Sequence, residues 1–167
     1  MSALSEWASE APSDAAEYVV KLPVGVEQTE AAMAVIQRWV DVDPATVALW
    51  IQQFPEGELR EQAGTALLGR WGQMEPRAAG VWVGNLPVGS FRDMAAAQLA
   101  QALVENDAPA AFQWIGSIGD ATARDLAYER GFRTWLAHDP AKARQWMERE
   151  TSLPITLQRR LKSLANP

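Results

Sequence analysis

Every tryptophan in this chain falls on one of two columns of a 32-residue period. Trp7, Trp39, Trp71 and Trp135 occupy the first column, with Leu103 in the remaining place. Trp50, Trp82, Trp114 and Trp146 occupy the second, with Tyr18 ahead of them. Other positions keep the same register. Asp43, Glu75, Asp107 and Asp139 form an acidic column. Pro12, Pro44, Pro76 and Pro140 each open the next segment, with Ala108-Pro109 in the fourth place. Pro23, Pro55 and Pro87, then Gly25, Gly57 and Gly89, mark a second break in each unit. Ala31, Ala63, Ala95 and Ala127 form a small-residue column, and Arg60, Arg92 and Arg124 a cationic one. A period of this size without insertions is the signature of a repeat array.

One unit is best followed over residues 43–74. Asp43-Pro44 is a helix start, an N-cap followed by proline at the first helical position. Val47, Trp50, Ile51 and Phe54 then follow at i, i+3, i+4 and i+7. Pro55 and Gly57 end the segment. Leu59, Ala63, Leu67, Leu68 and Trp71 give the next segment one apolar face. The spacing therefore predicts a short helix and a longer one per unit. Along the chain it predicts helices over 2–10, 12–21, 26–41, 44–53, 57–72, 76–84, 90–105, 108–117, 121–136, 140–150 and 154–164. No run shows strand alternation.

The expected fold is all-α, an α-α superhelix or solenoid of about four to five helix-pair repeats with terminal caps. It is read as one domain over 1–167: a cap or cut repeat at 1–11, repeats at 12–42, 43–74, 75–106 and 107–138, and a last repeat with capping helix at 139–167. The two tryptophan columns lie eleven residues apart across a turn, so their members are expected to meet at each joint. Each can contribute up to about 5 kcal/mol from roughly 200 Å² of burial. The competing reading of these columns is an exposed aromatic ladder for stacking bases or sugars.

The pattern Trp39…Asp43-Pro44…Trp50…Pro55, echoed at Trp71…Glu75-Pro76…Trp82…Pro87 and Trp135…Asp139-Pro140…Trp146, resembles bacterial α-helical repeat proteins with W…DP-A…W units. The helix-pair layout is similar to tetratricopeptide, HEAT and Sel1-like arrays, although the unit is shorter than the roughly 34 residues of the tetratricopeptide repeat. The resemblance implies a scaffold that binds proteins or peptides on a concave face, and it carries over no catalytic residue.

Composition narrows the chemistry. The chain has no cysteine and one histidine, His138, which excludes thiolate metal sites, disulfides and multi-histidine centres built within it. No phosphate-binding glycine motif is present. Asp41 and Asp43 could hold a cation, but capping is the simpler role. No catalytic, cofactor-binding or metal-binding residue is assigned, and the chain is read as non-enzymatic. No apolar run is long enough to span a membrane. Residues 1–20 carry four acids and no base, so no export signal is read there. This favours a cytoplasmic chain, with a mature exported domain as the alternative.

The net charge of −6 is uneven: residues 1–123 hold 16 acidic and 6 basic side chains, residues 124–167 hold 5 and 9. Arg60, Arg92 and Arg124 stand in the first turn of long helices, where a cation opposes the helix dipole. Either acids of neighbouring turns, such as Asp41, Glu56 or Glu61, pair with them, or they bind an acidic peptide or phosphate-bearing partner. Arg130, Arg133 and Arg144, with Lys142, Arg149, Arg159, Arg160 and Lys162, make a basic end whose simpler role is solubility. Arg144 interrupts a column of Ala16, Ala48, Gly80 and Phe112.

The expected function is thus a protein- or peptide-binding scaffold, its partner acidic if the arginines engage it. The alternatives are a HEAT-like nucleic-acid module, disfavoured by net charge, an accessory or regulatory domain cut from a longer protein, an enzyme or enzyme-associated domain using carboxylates and arginine alone, and a designed or consensus array.

Overall fold

A computed structural model of the chain describes residues 3–165. Eleven helices and no strands occur among them: α1 Ala3–Glu10, α2 Pro12–Lys21, α3 Val26–Trp39, α4 Pro44–Ile51, α5 Glu58–Met74, α6 Pro76–Asn85, α7 Ser90–Leu103, α8 Ala108–Gly116, α9 Ala121–His138, α10 Pro140–Arg149 and α11 Ile155–Ala165. Each corresponds to a helix expected from the spacing. The ends differ by a residue or two. The start of α1 was expected at residue 2, which lies outside the described residues. α3 and α7 stop at residues 39 and 103, short of 41 and 105. There Val42 and Asn106 donate to the carbonyls of Trp39 and Leu103, three residues back, which tightens the last turn.

The short helices start alike. Ala11, Asp43, Glu75, Asp107 and Asp139, 32 residues apart, share one non-helical conformation, with φ between −150° and −137° and ψ between 68° and 80°. The amide of each donates to the carbonyl four residues back (Trp7, Trp39, Trp71, Leu103 or Trp135) at 2.7–2.9 Å. One backbone group thus ends one helix while its residue caps the next. The Asp43, Asp107 and Asp139 carboxylates accept from the Thr46, Ala110 and Lys142 amides at 3.0–3.1 Å. Glu75, one methylene longer, does not cap. It accepts from the Trp71 indole instead, at 3.4 Å.

Three long helices begin at glycine: Gly25, Gly57 and Gly89. At Gly57 φ is +148°, a conformation that side-chain-bearing residues rarely adopt. The fourth copy has Ala121 in this column, and α9 starts differently. Its N-cap is Asp120, in ordinary extended conformation, accepting from the Ala123 amide at 2.7 Å.

The chain forms two compact units that divide between Leu86 and Pro87. In the first, α3 packs on α1, α2, α4 and α5, and α5 also holds α4 and α6. In the second, α9 contacts α7, α8, α10 and α11. The tryptophan pairs meet across the turns as their spacing predicts. Trp39–Trp50, Trp71–Trp82 and Trp135–Trp146 have ring centroids 5.9–6.1 Å apart and planes tilted by 47–53°. Trp7–Tyr18 repeats this at 5.8 Å and 55°. Offset, tilted rings of this kind are favourable beyond the area they bury. Trp39, Trp71 and Trp135 are 5%, 3% and 7% exposed, whereas Trp7 is 38% exposed. Trp82, Trp114 and Trp146 are half-buried.

The core beneath the rings also repeats. Ala15, Val47, Ala79, Ala111 and Ala143 are buried, as are Val19, Ile51, Val83, Ile115 and Met147. In the second unit Phe112 replaces the small residue found at Ala16, Ala48 and Gly80. It joins an aromatic cluster with Tyr128, Trp135 and Trp146, its ring 4.4 Å from that of Trp146. Space for it comes from Gly131, where a Cβ would lie 3.1 Å from Ile115 Cδ1 and 3.8 Å from Phe112 Cζ.

Two outcomes follow. Trp71→Ala should cost about 3–5 kcal/mol in urea unfolding, as a core truncation, and Trp7→Ala less than half of that. The Asp43 carboxyl is held below its usual range, first by the Thr46 side-chain hydrogen bond and then by the Thr46 amide. Its folded value is depressed, so its stabilisation is present above the ordinary carboxylate range and is lost as pH falls through the lower folded value. Asp43→Ala should cost about 1 kcal/mol at neutral pH, and the difference from wild type should shrink as acid protonates the cap.

Candidate functional site

The six sequence-selected arginines occupy different environments. Arg92 and Arg124, both in first turns, converge on the α8–α9 turn. Arg92 Nη1 donates to the Ser117 carbonyl at 2.7 Å, and Arg124 Nη1 to the Ile118 carbonyl at 2.9 Å. Both guanidinium groups thus donate to carbonyls just past the end of α8. Asp93 completes the clamp. Its carboxylate accepts from the Gly119 and Asp120 amides, both at 2.9 Å, and lies 3.8 Å from Arg92. Donors meet exposed carbonyls and an acceptor meets the next helix's amides, so the turn's polar groups are satisfied from α7 and α9. Arg60 is half-buried at the corresponding third position of α5.

The remaining three are exposed. Arg133 lies 3.5 Å from Glu129, one turn earlier. Arg144 Nε donates to the Ala165 carbonyl at 3.3 Å and so holds the last turn of α11. The Arg130 side chain, which has no hydrogen bond or ion pair among the described residues, stands at the edge of a groove between α7 and α9. This groove encloses about 290 Å³ and is lined by Met94, Ala97, Leu126, Ala127 and Arg130, with Gln98 and Gln101 alongside. Leu126 is 61% exposed. The small side chains of Ala97 and Ala127 form its floor, Met94 and Leu126 its apolar walls, and Arg130 its charge.

Reading the sequence for chemistry missed Met94 and Leu126. The signal was a column that changes character, because Glu30 and Gln62 precede Met94 and Leu126 at the same 32-residue spacing. Polar surface positions in the first two copies become apolar in the next two.

The first unit has a larger opening of about 570 Å³ between the α2–α3 and α4–α5 turns. Val24, Val26, Phe54 and Leu59 line it with Glu56 and Glu58, and none of its lining residues is basic. Residues 1–86 carry 12 acidic and 5 basic side chains, a net −7, and residues 87–167 carry 9 and 10, a net +1. The Tyr128 hydroxyl is pushed up from its ordinary pKa, first by burial and then by the nearby Glu150 charge. Among the described residues no three metal-ligating side chains come together, and no helix is long and apolar enough to cross a membrane. Comparison with protein families, characterised proteins and solved structures finds no match.

The clamp at the α8–α9 turn has a measurable weight. Asp93→Ala strips the acceptor from the Gly119 and Asp120 amides, which lie at exposed residues although the carboxylate itself is only 14% exposed. It should lower unfolding stability by about 1.5–3 kcal/mol, with Asp93→Asn losing less because one carbonyl oxygen remains.

Proposed function

We propose that the chain is a non-enzymatic protein- or peptide-binding module. In this reading its helix pairs stack as an α-solenoid of about four to five units, and the α7–α9 groove seats an acidic, apolar segment. The repeated caps and indole pairs support the scaffold half of the proposal. One observation carries the binding half: exposed Leu126 and half-buried Met94 stand beside Arg130, whose side chain has no partner among the described residues, in a column that is otherwise polar. An exposed leucine alone is ordinary surface. An apolar slot with a small-residue floor and one unsatisfied guanidinium is what a segment with an apolar anchor and a neighbouring carboxylate fits.

The test is selection of a random peptide library on the immobilised chain, followed by titration of the enriched peptides. Enriched sequences should place Asp or Glu beside an apolar residue. Arg130→Glu and Leu126→Asp should each weaken their binding at least about tenfold, or about 1.4 kcal/mol. Both positions are exposed, so helicity should be unchanged. Absence of enrichment, or binding indifferent to both substitutions, overturns the proposal.

A further inference from the structure

The first helix pair displays side chains whose counterparts later in the chain are buried or half-buried. Ala3 is exposed, yet Val35, Leu67, Leu99 and Gly131 in its column are buried. Leu4 is half-exposed, whereas Ile36, Leu68, Ala100 and Phe132 are buried. Trp7 is 38% exposed against at most 7% for its four counterparts. Tyr18 is 46% exposed, where Trp50 is 5% exposed and Trp82, Trp114 and Trp146 are half-buried. The ring contact itself is preserved, so the pair is built like the others and differs only in lacking cover. Alongside is an open cavity of about 290 Å³ lined by Leu4, Tyr18, Leu22 and Ala31, with the carboxylates of Glu27 and Glu30. Glu6, Glu10 and Asp14 are exposed on α1 and α2, and none of their side chains has a hydrogen bond or ion pair among the described residues.

The last helix is the chemical complement. α11 buries Leu157, Leu161 and Ala165. On another face Ile155, Arg159 and Lys162 follow at i, i+4 and i+7, a single exposed stripe. Ile155 is 61% exposed, and neither Arg159 nor Lys162 has a hydrogen bond or ion pair among the described residues. Arg160, by contrast, is already committed to Asp125 and Glu129. One apolar side chain flanked by free cations thus matches an apolar cavity flanked by free carboxylates.

We propose that the α1–α2 face receives the α11 stripe of a second copy of this chain, a heterologous head-to-tail contact. The later units supply the physical precedent, since the Ala3, Leu4 and Trp7 columns are buried in each of them. Charge gives the direction, because the acidic face repels another acidic face and attracts the basic stripe. Such a contact leaves one unused face at each end, so it adds copies in series unless the rotation closes a ring. A helix-on-face patch is smaller than a standard interface, which makes the association weak and concentration-dependent.

Sedimentation velocity on the full chain tests this. In about 50 mM salt, wild type should shift to larger species as concentration rises, and about 500 mM salt should weaken the association at least fivefold. Trp7→Arg/Tyr18→Arg removes the receiving face, and Arg159→Glu/Lys162→Glu reverses the stripe. Each double variant alone should stay monomeric. Mixed, they should form a one-to-one dimer and stop there, because each retains one competent surface. Circular dichroism checks that both stay helical; if the first variant unfolds, the second, at two exposed positions, still decides. The proposal is overturned if wild type sediments as a monomer up to about 200 μM, a range that covers weak contacts. It is also overturned if folded variants associate like wild type, or if their mixture does not pair. These outcomes are independent of peptide binding at the α7–α9 groove.

Discussion

Two short amphipathic helices cannot hide their own apolar stripes, and everything else in this structure answers that constraint. The answer is a pair of rings placed eleven residues apart around a one-residue cap or a short turn. The cap's amide closes the helix behind it, and its position starts the helix ahead. That arrangement brings the end of one helix beside the middle of the next, where two indoles, or an indole and a phenol, reach each other. Large flat side chains suit this place because they cover much area at little rotameric cost. The buried alanine, valine and isoleucine columns then need only be small enough to let the helices approach.

Polar groups follow the same economy. A guanidinium in a first helical turn opposes the dipole of its own helix. Arg92 and Arg124 answer this by reaching carbonyls of the adjoining turn, where a dipole of the opposite sense is exposed. Asp93 beside them supplies the acceptor that the start of α9 needs. The turn without the glycine used at the other long-helix starts is thus held by the side chains of Arg92, Asp93 and Arg124. Lost backbone freedom at Ala121 is offset by the Asp120 cap and by hydrogen bonds from two neighbouring helices.

Much of this was legible in the sequence because periodicity reports on burial, and burial decides where helices lie. The helix set, the proline starts and the meeting of the tryptophan columns all follow from spacing alone. Trp7 and Trp71 show the limit of that logic. They hold equivalent columns, but exposure depends on what packs against a position, and a column cannot encode that. The arginine partners were illegible for a different reason. Charge patterning points to carboxylates, whereas backbone carbonyls leave no mark in a sequence. Helix ends at Trp39 and Leu103 shifted because a tightened last turn depends on local hydrogen bonding and not on apolar period. The α7–α9 groove was recorded only as a break in the Glu30, Gln62, Met94, Leu126 column, visible once burial was known.

The exchange of bulk between Phe112 and Gly131 bears on how the copies relate to one another. At the equivalent places the first unit has Ala48 and Leu67, small then large, where the second has large then nothing. The two segments distribute bulk differently, so they are not interchangeable parts. A recombination that joined α8 to a long helix from the first unit would set Phe112 against Leu67, while the reverse joint would leave Ala48 facing a bare backbone. One crossover product would be crowded and the other hollow. Unequal bulk of this kind means that a misaligned exchange of similar segments would yield a chain that packs poorly.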